Sequence, residues 1–215
     1  MKLTLLADTH TQHRLVKIEE PTDYLVFAGD GEFRISGDIY YFNKWISELK
    51  EKKLIKEAIV IAGNHDFFCE RDRDTTLELF KDCVYLEDES YTLSNGMVLW
   101  GSPYTPRFKN WAFLKDDEDL KENWKTIPKT TDIIVTHGPA YKYVDYDIAY
   151  GNGHLGSKTL AKAIERIKPK FHICGHIHRD KGQLRIEETP ETTFINCGVL
   201  DNKYKMIWDP IIIEI

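Results

Sequence analysis

Hydrophobic residues gather into short runs along the chain, and five of these runs stop at a turn bearing Asp, His or Asn. Leu3-Thr4-Leu5-Leu6 leads to Ala7-Asp8-Thr9-His10, and Tyr24-Leu25-Val26-Phe27 to Ala28-Gly29-Asp30. Ala58-Ile59-Val60-Ile61 leads to Ala62-Gly63-Asn64-His65-Asp66, and Ile133-Ile134-Val135 to Thr136-His137-Gly138. The last, Phe171-His172-Ile173-Cys174, leads to Gly175-His176-Ile177-His178. Short β-branched runs predict buried strands, and the glycines after them predict turns leaving a sheet.

A second period runs between them. Ile39, Phe42, Ile46 and Leu49 recur at spacings of three and four with Trp45 on the same side. They predict a sheet-covering helix with Asp38 as its N-cap, ending near residue 52. Leu160, Ile164 and Ile167 predict another, capped by Ser157 and stopped by Pro169. Charged stretches predict shorter helices at 75–81 and 116–125. Asn95-Gly96 between apolar runs predicts a hairpin. Two further strand pairs are expected, Leu184-Arg185-Ile186 with Thr193-Phe194-Ile195, and 205–208 with 211–215. The aromatic residues Phe108, Trp111 and Phe113 read as packing within their own loop. The glycine- and tyrosine-rich stretch 138–156 is long enough for a lid or binding loop. The pattern as a whole is α/β in one domain spanning 1–215, with antiparallel pieces added from the Asn95-Gly96 hairpin onward.

Composition narrows the options. The 215 residues are 42% hydrophobic and 30% charged, as in an ordinary globular protein. A formal net charge of -6 weighs against stable nucleic-acid binding. With no apolar run of membrane-spanning length and a first strand that follows directly on Met1, a cytoplasmic location and no membrane partner are expected. Cys69, Cys83, Cys174 and Cys197 form no C-x-x-C pair, which fits reduced buried thiols better than a zinc–thiolate site.

In α/β sheets, ligands bind where strand carboxyl ends converge. There the sequence puts Asp8, His10, Asp30, Asn64, His137, His176 and His178. One ion takes about four protein ligands, so seven point to two ions sharing a group. A carboxylate bridges most readily, and Asp30 is the best placed. Mixed Asp, Asn and His donors suit Mn, Fe, Zn, Ni or Co better than Ca. Two such ions clamp a phosphate and generate hydroxide near neutral pH. His65 is surplus to the ligand count and free to protonate a leaving oxygen, with Asp66 suited to orient it. Singly, these turns are weak signals: Asp8 reads as a turn cap, and His137 as a satisfied core histidine. His13 and His172 read as structural or solvated, and His154 as no more than a remote substrate contact. The ordered set is specific.

The order D-x-H, G-D, G-N-H-D, T-H-G and G-H-x-H, running from Asp8 to beyond His178, resembles the calcineurin-like metallophosphoesterase superfamily. Gly101-Ser102-Pro103-Tyr104-Thr105-Pro106, Trp111-Ala112-Phe113 and Thr136-His137-Gly138-Pro139 resemble its small metallophosphoesterase-domain (MPPED-like, brain 239-type) subgroup. The resemblance implies a four-layer α/β/β/α sandwich of two mixed sheets flanked by helices. It implies that Asp8, His10, Asp30 and His178 hold one divalent ion and Asp30, Asn64, His137 and His176 the other, Mn foremost. Asn64 and His65 would contact the phosphate, His65 would be the general acid, and a metal-bound hydroxide would attack phosphorus in line. Tyr104 and Arg107, in the proline loop, are added as substrate contacts.

The expected activity is hydrolysis of a small or nucleotide-like phosphodiester. A phosphomonoesterase or phosphoprotein phosphatase, a nuclease, and a catalytically silent binding scaffold share the core. Every ligand position and His65 are filled, which weighs against the scaffold.

Overall fold

The computed structural model describes residues 1–148 and 153–215. In chain order the strands are β1 Lys2–Leu6, β2 Thr22–Ala28, β3 Ile55–Ile61, β4 Val84–Tyr85, β5 Glu89–Thr92, β6 Val98–Ser102, β7 Thr105–Pro106, β8 Leu114–Lys115, β9 Ile133–Thr136, β10 Tyr146–Asp147, β11 Gly153–His154, β12 Phe171–Cys174, β13 Ile186–Glu188, β14 Thr193–Asn196 and β15 Ile211–Glu214. The helices are α1 Ser36–Glu51, α2 Phe67–Arg71, α3 Arg73–Leu79, α4 Leu120–Lys125 and α5 Lys158–Ile167.

Two sheets form the centre. The first has the order β15-β1-β2-β3-β4 and the second β13-β14-β12-β9-β6-β5. β1 to β4 run parallel, with β15 antiparallel at the edge. In the second sheet β6, β9, β12 and β14 are parallel and both edges antiparallel. Parallel strands need cover on both faces, which is why their sequences are continuously apolar. In β3, Ile59 and Ile61 face Leu99, Ile133, Val135, Ile173 and Ile195 of the other sheet. Ala58 and Val60 face outward onto Phe42, Trp45 and Ile46 of α1. On the far side, Trp100, Ile134 and Phe194 pack under Trp124 of α4 and Leu160 and Ile164 of α5. The result is the four-layer α/β/β/α sandwich.

Three local expectations shift. Helix α1 starts at Ser36, before Asp38, whose carboxylate instead reaches back to the amides of Arg34 and Ile35. The helix expected at 75–81 is α3, shifted to Arg73–Leu79 and capped by Asp72 through the Thr75 amide, and a further short helix, α2, precedes it. The last strand pairs not with 205–208 but with β1, Leu3 opposite Ile213, because the edge of β1 offers a longer apolar partner. Ser157 caps α5 by accepting from the Leu160 amide, as the sequence predicts. Of the long loop 138–156, residues 149–152 lie outside the described residues. Among the described residues no helix is long and apolar enough to cross a membrane.

Candidate metal centre

All five polar turns emerge at the carboxyl ends of parallel strands, β1, β2 and β3 in one sheet and β9 and β12 in the other. Packed face to face, the two sheets bring these turns to a common edge. There Asp8, His10 and His178 form one cluster of donor atoms and Asp30, His137 and His176 a second, the atoms of each lying within 4.8 Å of one another. Asn64 Oδ1 joins the second cluster, 2.9 Å from His137 Nε2, which also lies 3.3 Å from Asp30 Oδ2.

The backbone is bent to achieve this. Asp8, His10, Asp30, Glu32 and His176 all have left-handed φ values, between 39° and 67°. Each such residue costs of order 1–3 kcal/mol, a strain that concentrates at functional sites. Two glycines let backbone and carboxylate come close: a Cβ on Gly63 would lie 2.4 Å from Asp30 Oδ1, and one on Gly175 2.5 Å from Asp8 Oδ2.

Braces hold the bent turns. Asp66, fully buried, accepts from the amides of Gly63 at 2.7 Å, Phe33 at 2.8 Å, Asp30 at 3.0 Å and Gly31 at 3.4 Å. Both of its oxygens are thus spent on the backbone, and the expected orientation of His65 by Asp66 is corrected. The carboxylate beside His65 is Glu32, whose Oε2 lies 3.1 Å from His65 Nδ1 and 2.7 Å from His10 Nδ1. On the other sheet, buried Asn196 donates to the carbonyls of Gly175 and Ile177 and accepts from the Gly198 amide, clamping the His176–His178 turn. His137 and His178 each donate Nδ1–H to a backbone carbonyl, of Ala28 and Asp201, which leaves Nε2 as the donor nitrogen toward a metal.

The donor set fits divalent ions. Nitrogen and oxygen donors of both charge types surround the buried His10 Nε2, which has no hydrogen-bond partner of its own. Electrostatics agree. Burial disfavours a charged His137, but Asp30 outweighs it and raises the pKa to about 9. Burial and the charge of His137 push His176 down to about 3. Burial works against His10 as well, yet the Glu32 hydrogen bond and the Asp30 and Asp8 charges raise it. These carboxylates hold protons on imidazoles in positions that a divalent ion takes when it binds.

The centre floors a cavity of about 410 Å³ lined by Asp30, Asn64, His65, Arg107, Trp111 and Tyr204 among others. Trp111 stacks on His65, with ring centres 4.2 Å apart and planes 26° apart. The amide of Ala112 donates to the Asn64 carbonyl, tying the Trp111 loop to the Asn64-His65 turn. Phe108 leans on His176, and Tyr204 on His10 and His178. So two of the aromatics expected to pack only their own loop, Phe108 and Trp111, form a wall of the site, while Phe113 is buried in the core. Arg107 reaches the cavity, although its guanidinium is engaged by Asp116 and the Leu114 carbonyl. Tyr104 does not line it: its ring packs on Phe113 beneath Lys115, which corrects its assignment as a substrate contact. His154 is paired with Asp145 at 2.5 Å, and His13 is buried against Phe42 and Trp45. Glu32, Asn196, Trp111 and Tyr204 escape the sequence reading; the signal for Asn196 was the same as for the other turns, a polar residue ending an apolar strand.

The family model for calcineurin-like phosphoesterases matches residues 1–180. Human metallophosphoesterase domain-containing protein 1 is 28% identical over 241 residues, covering all of this chain and 71% of the relative. A UPF0046 protein of Caenorhabditis elegans, C25E10.12, is 31% identical over 238 residues, covering all of this chain and 81% of the relative. The crystal structure of TT1561 of Thermus thermophilus superposes with a TM-score of 0.65 at 12% identity, covering 92% of this chain and 88% of that one, a likeness of fold. A matched family motif set, a shared sandwich and a donor-rich strand-end centre converge: the chain belongs to the calcineurin-like phosphoesterase family, within the group of metallophosphoesterase domain-containing protein 1, and is a metal-dependent phosphoester hydrolase.

Proposed function

We propose that the chain hydrolyses a small or nucleotide-like phosphodiester, with Asp8, His10, Asp30 and His178 taking one divalent ion and Asp30, Asn64, His137 and His176 the other. The observation that carries the diester is the wall of the cavity. Phe108, Trp111, Leu155 and Tyr204 offer apolar area beside the donor clusters, which a second ester substituent covers and a monoester leaves bare. Bound there, two ions supply the positive charge that clamps a phosphate and the acidity that turns water into a nucleophile near pH 7.

The protein's own groups do the rest. Asn64 and His65 face the phosphate from one turn, and the His65 amide is itself anchored on Asp30 Oδ1 at 2.8 Å. His65 carries the proton delivered to the leaving oxygen, and Trp111 holds the plane of its ring. Arg107 and Lys109 at the rim favour an anionic substrate. Mn is the ion this reading favours, and four free thiols support a reducing, cytoplasmic setting.

The test is hydrolysis of bis-p-nitrophenyl phosphate and p-nitrophenyl phosphate by chelator-stripped protein, with and without Mn²⁺. Metal-restored activity faster on the diester is expected. A monoester preference would establish a phosphatase instead, and silence on both with two ions bound would establish a binding scaffold.

A further inference from the structure

We propose that Glu32 is a positioning residue for two histidines at once, its Oε2 fixing which ring nitrogen His10 and His65 each present to the centre. The proposal deepens the reading above, which makes His10 a ligand and His65 the acid.

Distance carries the first part. Oε2 accepts from His10 Nδ1 at 2.7 Å and lies 3.1 Å from His65 Nδ1, which is at ion-pair distance though not aligned as a hydrogen bond and has no other hydrogen-bond partner. A carboxylate oxygen has lone pairs for both. The two rings also meet each other edge to face, 4.6 Å apart, so the three side chains form one packed unit. The path of the chain carries the second part. Asp66 holds the amides of Asp30, Gly31 and Phe33 around Glu32, and the Phe33 ring is buried in the core. A Cβ on Gly31 would lie 2.1 Å from that ring, so the residue before Glu32 has to be glycine. Glu32 itself is set at φ 67°, and its second oxygen, Oε1, is taken by Arg34 Nε. With backbone and both oxygens committed, its side chain is only 19% exposed.

The chemistry follows from what a carboxylate lacks. It accepts and never donates when ionised, so a ring nitrogen facing it must carry the proton. On His10 this keeps the proton on Nδ1 and leaves the Nε2 lone pair for a metal; Nε2 lies 3.7 Å from Asp30 Oδ2, on the side of the donor clusters. On His65 it retains one proton on Nδ1, so the proton that moves is the one on Nε2. Backbone carbonyls do this work for His137 and His178. For His10 and His65 a single side chain does it, which couples metal affinity to proton delivery.

The experiment compares metal-free wild type, Glu32→Ala and Glu32→Gln by ¹⁵N–¹H correlation of the imidazoles, with His10→Asn and His65→Asn for assignment. Both rings are expected to carry a proton on Nδ1 in the wild type and to lose that preference in favour of Nε2–H in Glu32→Ala. Glu32→Gln, whose amide oxygen still accepts, should retain one of the two. Mn²⁺ affinity by chelator competition should fall about 10- to 100-fold in Glu32→Ala. At saturating Mn²⁺, an alkyl ester should slow more than a nitrophenyl ester. If neither diester is hydrolysed by the wild type, the function reading fails, while the tautomer and affinity readouts still decide the role of Glu32. Unchanged tautomers with Mn²⁺ affinity within about twofold would overturn it. So would a third Mn²⁺ per chain that Glu32→Ala loses, because His10, Glu32 and His65 would then be ligands of their own ion.

Discussion

The two sheets contribute different chemistry to the centre. Turns from the five-stranded sheet carry its negative charge, Asp8 and Asp30, together with His10, Asn64 and His65. Turns from the six-stranded sheet carry only imidazoles, His137, His176 and His178. The bracing differs as well. On the first side a buried carboxylate, Asp66, gathers four amides. On the second a neutral amide, Asn196, gathers two carbonyls and one amide. One sheet therefore supplies the charge that attracts ions, and the other supplies neutral donors that select among them.

That contrast can be broken by substitution. Asp30→Asn should cost both ions and about 10³-fold or more in kcat/KM, a loss of several kcal/mol of electrostatic stabilisation. His178→Ala should cost one ion, read by metal analysis of the purified protein. If His178→Ala empties both positions, or Asp30→Asn only one, the division of labour between the sheets is wrong. His65→Ala should lower kcat by about 10²- to 10⁴-fold with metal content near that of the wild type. Loss of metal there would make His65 a ligand.

The braces give a smaller effect, measured by urea unfolding. Asp66→Ala leaves several buried amides without an acceptor and should lower stability by about 3 kcal/mol, more than Asn196→Ala. Equal losses would mean that the charge of the brace is immaterial.

The smallest effect is a slope against pH. Burial holds His172 down at about 3, and burial together with Arg14 holds His13 down at about 4, from an ordinary value near 6.5. Both stay neutral in the fold while the unfolded chain takes up protons below about pH 6.5. Stability should therefore be fully present above that pH and fall by about 1.4 kcal/mol per unit for each histidine as pH drops toward 4. His172→Phe should remove one proton from that slope in the metal-free protein; an unchanged slope would mean that His172 is charged in the fold.

Much of this was legible because strand ends are local. An apolar run and the polar residues after it are contiguous, so the seven donors and His65 could be found one turn at a time. The α/β class followed from continuous apolar strands alternating with helices of period 3.6, and the four-layer sandwich from the resemblance of the motif set. What escaped depends on contacts between distant segments. Glu32 reaches His10 across 22 positions, and nothing local separates it from a solvated turn residue. Trp111 looks like loop packing until the Ala112 amide is seen to tie its loop to Asn64. Asp66 adjoins His65 in sequence, and that adjacency misleads: its side chain turns the other way, to the amides of the Asp30 turn.

The segment that follows the G-H-x-H turn changes where this molecule can be cut. Truncation after residue 180 would retain every candidate ligand, and by motif the remainder would look intact. It would also discard Asn196, the Asp201 carbonyl that orients His178, the Tyr204 ring beside His10, and the strand β15 that borders β1. A fragment chosen by its motifs would then carry the donors without their alignment. The contacts behind the ligands thus reach as far as β15, the strand paired with β1 at the edge of the first sheet.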